Sequence, residues 1–429
     1  MKAPLYIVDG VRTPFCKMGT ALASADAVEL GRAAAAALLA RTGIDPALID
    51  EVIFGCVGQP ADAANVSRVI ALRAGVPPQV PAITVHRNCA SGFEAVTQAA
   101  EKIAAGQGDI FLVGGTESMS RYPLLYNDSA ARKFGDLARA KTLPQKLARL
   151  LRFRPSDFTP RVSLQLGLTD PVCGLNMGQT AEVLARDWLI SRDAQDRFSL
   201  QSHQHAAAAR ERLAEEIAPF YPRGGREASV VTADNGVRDP QTLEALAKLR
   251  PLFDRTGGTV TAGNASQITD GAVALLVMSE AALQRTGMKP LGRLVDYAYA
   301  GCEPARMGLG PLFAIARAEK AGGLGLADAD LIEINEAFAA QVLACIAASA
   351  SPEFAKEHLG RDRPLGDIRH EILNVNGGGI ALGHPVGATG ARLVLTALKE
   401  LHRRGKKRAL VSLCVGGGQG GALWLEATP

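Results

Sequence analysis

Residues 82–96 read AITVHRNCASGFEAV, and two structural patterns meet in them. The run from Ala82 to Val85 has the apolar content of a buried strand, and the run that continues to Gly106 has apolar residues close to helical spacing. Cys89 lies at the turn between them. A thiol there faces the first unpaired N–H groups of a helix, and the positive end of the helix dipole favours its thiolate. Cys89 is therefore either a nucleophile or a small, buried apolar residue.

Short strands and longer helices alternate on both sides of this stretch, which predicts an α/β protein. Strands are sparse between residues 122 and 258, where Pro and charged residues are frequent, so we expect an inserted helical region there. Both flanking parts have a reactive residue that opens a helix, Cys89 in one and His384 in the other. Two similar halves that face each other would bring these residues together at opposed helix N-termini. Strands are expected at residues 5–9, 51–55, 109–115, 271–279, 330–333, 372–375, 409–413 and 422–426.

Length, charge and cysteine spacing exclude several classes of protein. A chain of 429 residues is expected to form two or three domains. The net charge of +4, without zinc-finger spacing or interleaved basic and aromatic residues, argues against nucleic-acid binding and suits an anionic small substrate. Seven widely spaced cysteines without a CxxC pair argue against a disulfide framework or a metal site. With no signal-peptide or membrane-spanning pattern, we expect a soluble cytoplasmic protein.

A basic, leucine-rich segment spans residues 132–154. Within it, four leucines fall on one helical face and three basic residues on the other. This helix either packs on its own protein with a solvated basic face, or contacts anionic lipid, a partner subunit or substrate phosphates. The leucines are Leu143, Leu147, Leu150 and Leu151, and the basic residues are Lys146, Arg149 and Arg152.

Four residues carry candidate chemistry: Cys89, Asn335, His384 and Cys414. A thiolate is suited to acyl transfer between thiols, and His384 can serve as its base. A step that forms or breaks a carbon–carbon bond beside a thioester needs a second acid/base, for which Cys414 is a candidate. Taken singly, His384 could be a structural helix start, Cys414 a packed thiol and Asn335 a helix cap.

Two glycine-rich stretches could aim N–H groups at the oxygen of a thioester. One is the run from Gly377 to Gly379, and the other begins at Gly416. Neither has the strand–GxGxxG–acid arrangement of a dinucleotide site or the GK[ST] of a P-loop, so nucleotide binding by those routes is not expected.

Taken together, five ordered motifs resemble those of the thiolase family over essentially the whole chain. This resemblance implies two similar α/β halves in a five-layered αβαβα core, residues 1–121 with 259–287 and residues 288–429. It also implies an inserted helical loop domain at residues 122–258 and assembly into dimers or tetramers. The motifs are Asn88-Cys89-Ala90-Ser91-Gly92, residues 258–266 (GTVTAGNAS), Asn335-Glu336-Ala337-Phe338, Gly383-His384-Pro385, and Cys414-Val415-Gly416-Gly417-Gly418.

The resemblance also implies roles for single residues. Cys89 resembles the nucleophile that carries the acyl group, and His384 resembles its base, whose ring N–H also helps to bind the thioester oxygen. Cys414 resembles the acid/base at the α-carbon, and Asn335 the residue that holds a water in a first oxyanion hole. The backbone N–H groups of Cys89 and Gly416 resemble a second oxyanion hole. Ser266 resembles a residue beside the pantetheine arm of coenzyme A, which is a substrate here and not a permanently bound cofactor.

Within the family, the basic segment and the region 352–369 are similar to β-subunits of the fatty-acid oxidation trifunctional complex. Those subunits often have His in place of Asn335, so the chain departs from them there. We expect a 3-ketoacyl-CoA thiolase of fatty-acid β-oxidation acting on medium or longer chains, with acetyl-CoA C-acetyltransferase as the alternative. A hydratase–dehydrogenase α-subunit and a membrane surface are further expected partners of residues 132–154.

Two other classes of protein share parts of this pattern. An acyl-CoA-binding scaffold without turnover would not need intact Cys89, His384 and Cys414. Decarboxylating ketosynthases and synthases of the hydroxymethylglutaryl type lack the second cysteine in a Cys-x-Gly context, so Cys414 argues against them.

Overall fold

A computed structural model describes residues 4–222 and 229–428. The strands in these residues are β1 (Leu5–Arg12), β2 (Cys16–Lys17), β3 (Glu51–Gly55), β4 (Ala82–Val85), β5 (Ile110–Ser118), β6 (Leu124–Leu125), β7 (Arg161–Val162), β8 (Thr269–Ser279), β9 (Gly292–Gly301), β10 (Leu331–Ile334), β11 (Arg408–Val415) and β12 (Gln419–Ala427). The helices are α1 (Ala27–Thr42), α2 (Val66–Arg73), α3 (Ser91–Ala104), α4 (Asp128–Ala138), α5 (Leu143–Leu150), α6 (Ser163–Gly167), α7 (Met177–Asp187), α8 (Arg192–Ala208), α9 (Arg210–Ala214), α10 (Leu243–Ala247), α11 (Glu280–Thr286), α12 (Gly310–Gly322), α13 (Ala339–Ser349), α14 (Pro352–Leu359), α15 (Gly379–Leu382) and α16 (Thr389–Arg404).

The large sheet consists of two similar halves that meet at β1 and β9. Its strand order is β10-β11-β12-β9-β1-β8-β5-β3-β4, and β2 pairs with β8. In the N-terminal half β3 is parallel to β4 and β5, and in the C-terminal half β10 is parallel to β11. Three residue pairs join the halves, Leu5 with Leu294, Tyr6 with Arg293 and Ile7 with Gly292, all antiparallel.

The helices form three layers around the two halves of the sheet. Helix α1 packs on β5 and β8 at one outer face, and α12 packs on β9 and β12 at the other. Helices α3 and α16 lie between the halves and contact each other as well as strands on both sides. One hydrophobic core surrounds this central pair, and a further core lies under each outer helix layer. The expected five-layered αβαβα core is confirmed.

The central helices meet at their N-terminal ends with almost no space between their backbones. A Cβ atom added to Gly92 of α3 would lie 2.5 Å from the backbone nitrogen of Ala391, and one added to Gly390 of α16 would lie 2.5 Å from the nitrogen of Phe93. Only glycine permits this approach. Because Cys89 and His384 shortly precede these two helix starts, the contact sets the distance between the two halves at the residues of interest.

One predicted strand is present but is not buried, and another predicted strand is absent. Residues 82–85 form an edge strand paired with β3 alone, and Ile83 is 40% exposed, because an apolar run cannot show which strand ends a sheet. Residues 372–375 form no strand and touch β10 through a single bridge, Ile332 with Leu373. Asn374 has a φ of +46°, and its side-chain amide bonds both the N–H and the carbonyl of Ile334, at 2.9 Å each. A side chain therefore replaces the backbone ladder that a strand would make.

In the described residues between β5 and β8, the regular elements are helices apart from the two-residue strands β6 and β7, as expected. Helix α5 does not pack its leucines on the protein: Leu143 is 84% exposed and Leu151, just after the helix, is 79% exposed. The alternative of a helix packed on its own protein is therefore wrong for this face. None of the helices in the described ranges has the length and apolar content needed to cross a membrane.

The contact between α3 and α16 gives a stability prediction. Gly92→Ala places a methyl group against the backbone of α16, so it should lower the free energy of unfolding by about 2 kcal/mol or more. Chemical denaturation measures the change. Gly135→Ala in α4 is the control, because its Cβ would meet only the far end of the Arg139 side chain, at 3.6 Å. Equal stability of the two variants would contradict the account of the helix contact.

Candidate active site

Cys89 lies in a tight turn between β4 and α3 that a network of short contacts fixes. Asn88, before it, has a φ of +43°, and its side-chain nitrogen donates to the carbonyl of Gly416 at 2.7 Å. The hydroxyl of Ser91 donates to the carbonyl of Asn88 at 2.7 Å and accepts from the N–H of Arg87 at 2.9 Å. The turn is thereby tied both to its own helix and to the C-terminal half.

The Cys89 thiol is half-buried, and its sulfur accepts hydrogen bonds from the backbone N–H groups of Gly416 and of Cys89 itself. The pKa of the thiol is raised to about 11, because burial and, to a smaller extent, the charge of Glu117 raise it by more than those two N–H groups lower it. We expected the helix end to favour the thiolate. Burial outweighs that effect, so the thiol is protonated at neutral pH.

His384 is buried, and both of its ring nitrogens have a neighbour. Nδ1 lies 2.6 Å from the hydroxyl oxygen of Thr389, and that hydroxyl donates to the carbonyl of Pro385 at 3.0 Å. Nδ1 must therefore carry the proton and donate it to Thr389, which leaves Nε2 free to accept. Burial, together with the positive charge of Arg392, lowers the pKa of His384 to about 3. The imidazole is neutral at neutral pH.

Asn335 follows β10 and is fully buried. Its side-chain nitrogen lies 3.5 Å from Nε2 of His384. Helix α13 begins only at Ala339, with Phe338 in the capping position, so Asn335 is not a helix cap. Its side-chain oxygen is buried without a hydrogen-bond partner among the residues that the structure describes. A buried acceptor of this kind is suited to hold a water or a substrate group.

Cys414 lies near the end of β11 and is 1% exposed. Burial raises the pKa of its thiol well above the ordinary value, and the nearby Cys89 raises it further. Gly416, two residues on, accepts from Asn88 through its carbonyl and donates to the Cys89 sulfur through its N–H. A single glycine thus connects the C-terminal half to the turn that carries the nucleophile candidate.

A cavity of about 260 Å³ opens beside Cys89, Gly416 and Gly417. Most of its wall is apolar and comes from both halves and from the helical insertion. Val386, two residues after His384, lies in this wall, so the histidine loop borders the same space as Cys89. The remaining apolar wall residues are Val57, Met119, Leu164, Leu168, Pro171, Val172 and Met177.

Ser266 lies outside this cavity wall. Its backbone N–H donates to the carbonyl of Ala337 at 2.9 Å, next to the bridge between Ala265 and Phe338. The residue is half-buried. The structure therefore places Ser266 beside the Asn335 segment and does not join it to the group around Cys89.

Comparisons with known proteins agree with this arrangement. The family model for the thiolase N-terminal domain matches residues 5–281, and the one for the thiolase C-terminal domain matches residues 288–427. The chain belongs to the thiolase family. It is 42% identical to a 3-ketoacyl-CoA thiolase of Pectobacterium atrosepticum, over 99% of this chain and 97% of that one. It is also 42% identical to one of Serratia proteamaculans, over 98% of this chain and 96% of that one.

Solved thiolase structures have the same fold. A human mitochondrial 3-ketoacyl-CoA thiolase superimposes with a TM-score of 0.85 at 36% identity, covering 100% of this chain and 99% of that one. A Bacillus anthracis acetyl-CoA acetyltransferase superimposes with a TM-score of 0.86 at 37% identity, with the same coverage. Membership of the family makes the chain an acyltransferase, as the sequence predicted.

Sequence reasoning missed two residues of this thiolase site. Thr389 fixes the tautomer of His384, and its position five residues on in the same glycine-rich motif was an available signal. Glu117 ends a buried strand whose apolar pattern gave no reason to examine a carboxylate there.

The protonation states give a pH prediction for alkylation of Cys89 by iodoacetamide. Because the thiol pKa is raised to about 11, the thiolate fraction should grow through the whole neutral and mildly alkaline range. The second-order rate constant should rise about tenfold per pH unit between pH 7 and pH 9. Mass spectrometry of the Cys89 peptide isolates this thiol from the other six cysteines. A plateau below pH 8 would instead indicate a preformed thiolate–imidazolium pair.

Proposed function

We propose that the chain is a 3-ketoacyl-CoA thiolase, which cleaves a 3-ketoacyl-CoA with coenzyme A into acetyl-CoA and a shortened acyl-CoA. The relatives of that name, matched over nearly their whole length, agree with the expectation from sequence. The observation that carries the proposal is that Cys89 and Gly416 line an apolar cavity whose wall also includes Val386, two residues after the neutral His384. This arrangement supplies a nucleophile, a base and space for an acyl chain.

In the first half-reaction, Nε2 of His384 takes the Cys89 proton as the sulfur attacks the 3-keto carbon. The bond between carbons 2 and 3 then breaks, and the acyl group stays on Cys89. Cys414 gives its proton to carbon 2 of the leaving acetyl-CoA. Its pKa, raised by burial, suits it to hold that proton until the carbanion forms.

In the second half-reaction, free coenzyme A releases the acyl group from Cys89. Cys414, now a thiolate, takes the proton of the coenzyme A thiol, whose sulfur attacks the acyl carbon. Cys89 leaves as a thiolate and recovers its proton from His384. No net proton is gained or lost over the two steps.

Two oxyanion holes are proposed for these steps. The N–H groups of Cys89 and Gly416, which hold the resting sulfur, would face the oxygen of the acyl group once Cys89 carries it. The protonated Nε2 of His384, with a water held by Asn335, would face the thioester oxygen of the other substrate. The unpartnered, buried oxygen of Asn335 supports the water site.

Coenzyme A is proposed as a substrate, with no permanently bound cofactor. A human thiolase with this fold has been solved in complex with CoA, at 36% identity to this chain. Ser266, beside the Asn335 segment, is proposed to border the pantetheine arm. Ser266→Trp should therefore raise the KM for coenzyme A, and an unchanged KM would contradict this placement.

The mechanism predicts a loss of activity on removal of the nucleophile. Cys89→Ala should lower kcat for thiolysis by at least about a thousandfold, because no covalent acyl intermediate can form. Cys173→Ala, which removes a half-buried thiol of the insertion, is the matched control and should stay active. Full thiolysis by Cys89→Ala would contradict the proposed mechanism. The site around Cys89 could then serve only to bind acyl-CoA.

The alternative activity is that of an acetyl-CoA C-acetyltransferase, and the similar Bacillus anthracis structure is that of an acetyl-CoA acetyltransferase. The two activities use the same residues and differ in acyl length and direction. Because the cavity beside Cys89 is apolar and about 260 Å³, we expect chains longer than acetoacetyl to be cleaved. Rates with purified protein over a series of 3-ketoacyl-CoA lengths, in both directions, decide between them. Cleavage of acetoacetyl-CoA alone would favour the acetyltransferase.

The proposed domains are residues 1–121 with 259–287, the loop domain 122–258, and residues 288–429. Limited proteolysis should cut first in the loop domain. A homodimer or homotetramer is also proposed, because β4 exposes an unpaired edge next to the Cys89 turn. A molar mass of one chain by light scattering would contradict assembly.

Residues 132–154 are proposed to touch an anionic membrane surface. The leucines of α5 point outward, and Lys146 and Arg152 make no ion pair with any residue in the described ranges. A basic helix with an exposed apolar face is suited to lipid headgroups. A hydratase–dehydrogenase α-subunit is the second proposed partner of this segment, to be tested by co-purification.

Charge reversal tests the membrane contact. The triple variant Lys146→Glu, Arg149→Glu, Arg152→Glu should lose most of its sedimentation with anionic vesicles, because each basic residue contributes about 1 kcal/mol near such a surface. Thiolysis in solution should be unchanged. A second triple variant is the control, because it changes the charge by the same amount elsewhere on the insertion. Its substitutions are Arg186→Glu, Arg210→Glu and Arg255→Glu. Equal sedimentation of wild type and the first variant would contradict the contact.

We also propose that the protein is cytoplasmic and has no nucleic-acid partner. Seven free cysteines are consistent with a reducing compartment. Cell fractionation tests the first statement, and a gel-shift assay with DNA and RNA tests the second.

A further inference from the structure

Glu117, near the end of β5, is fully buried, and the proposed chemistry does not use it. Four donors surround its carboxylate. Oε1 accepts from the N–H of Gly58 at 2.8 Å and the hydroxyl of Tyr122 at 3.0 Å. Oε2 accepts from the N–H of Gly387 at 2.9 Å and the N–H of Val57 at 3.2 Å. The donors come from three segments that are distant in sequence.

The space around this carboxylate depends on glycines. A Cβ at Gly58 would lie 1.8 Å from the ring of Tyr122, and one at Gly115 would lie 1.9 Å from the carbonyl oxygen of Gly387. A Cβ at Gly387 would lie 2.6 Å from the oxygen of Thr116 and 2.9 Å from Oε2 of Glu117. At Gly58, Gly115 and Gly387 the backbone therefore lies closer to the groups around the carboxylate than a residue with a Cβ atom would allow.

Each segment that Glu117 binds also borders the catalytic cavity. Val57 and Tyr122 lie in the wall beside Cys89, and so does Val386, the neighbour of Gly387. Gly387 is only three residues after His384, and Tyr122 begins the inserted region. One carboxylate thus holds the wall of the N-terminal half, the start of the insertion and the histidine loop of the C-terminal half.

The charge of Glu117 also affects the titratable groups around it. Burial raises its pKa to about 7 although four donors lower it. The titratable groups that it faces are Tyr122, Cys56 and Cys89, and its negative charge raises the pKa of each. No Lys, Arg or His in the described ranges forms an ion pair with it.

We propose that Glu117 is a positioning residue of the thiolase site, whose carboxylate fixes the His384 loop and the Tyr122 wall against the Cys89 turn. The proposal rests on the proposed function, since it assumes that Cys89 and His384 act together. Gly387 supplies the C-terminal contact, so the carboxylate keeps the two halves in register at the cavity. Tyr122 supplies the contact to the insertion.

Two substitutions separate geometry from charge. Glu117→Gln keeps the size of the side chain, but its NH2 group must face backbone N–H donors, so at least one of them loses its acceptor. Glu117→Asp keeps the charge but is one methylene too short to reach all four donors. Both should lower kcat for thiolysis, by about 30-fold, with the KM for coenzyme A changed less than about threefold.

Alkylation of Cys89 then distinguishes positioning from a merely structural role. In Glu117→Gln the pH profile of iodoacetamide alkylation should move to lower pH, since a negative charge that raises the pKa of the Cys89 thiol is removed. In Glu117→Asp the profile should stay close to that of wild type. Tyr122→Phe, which leaves the carboxylate and removes one of four bonds, should fold normally and lower kcat only several-fold.

Glu426→Gln is the matched control, a buried carboxylate at the opposite end of β12 from the glycine-rich loop, where it binds Arg293 and Arg408. It should lower the melting temperature but move neither kcat nor the alkylation profile. The proposal is overturned if Glu117→Gln and Glu117→Asp retain wild-type kcat, or if their losses match the fraction of unfolded protein. If Cys89→Ala is itself active, the proposed function fails instead, which is a separate and recognisable outcome.

Discussion

The head-to-head contact of α3 and α16 is the constraint on which the rest of the structure depends. Gly92 and Gly390 let two helix backbones touch where a side chain would hold them apart. Each helix opens shortly after a turn that carries chemistry, so the contact brings the two turns to one place. The carbonyl of Gly416 then accepts from the Asn88 side chain, which ties the Cys89 turn to the C-terminal half. A site divided between distant parts of the chain is fixed by backbone contacts that tolerate little variation.

Burial of the site also determines which of its groups are charged. The same low-dielectric surroundings raise the pKa of the Cys89 thiol and lower that of His384, so the resting pair is neutral. A neutral pair costs less to bury than an ion pair. In the proposed mechanism charge then develops only when a substrate is present, and the N–H groups of Cys89 and Gly416 are proposed to face the oxyanion. The Thr389 hydroxyl keeps the imidazole in the tautomer that this transfer needs.

The sequence predicted many of the strands and helices and the motifs that carry the resemblance, but it did not predict β9 or α12. Strand Glu51–Gly55 was predicted to the residue, and helix α1 ends at Gly43, as its left-handed φ of +65° requires. The sequence could not show which strands lie at the edge of the sheet, because an apolar run looks the same in an edge strand and in a central strand. The segment 372–375 failed for another reason: the Asn374 side chain takes over the hydrogen bonds of a ladder, and no periodicity reveals that. The contacts of Thr389 and Glu117 are long-range or depend on backbone geometry, and they required coordinates.

The segment at residues 372–375 also decides how far the sheet can extend. It lies along β10, where Asn374 occupies the groups that an added strand would use. The opposite edge, β4, has no such cover in the described part of the chain. A sheet with two open edges can recruit neighbours without limit and grow into a fibre, whereas a sheet with one closed edge can accept a single neighbour. The two edges of the sheet therefore differ: Asn374 covers the edge at β10, and the edge at β4 is open in the described residues.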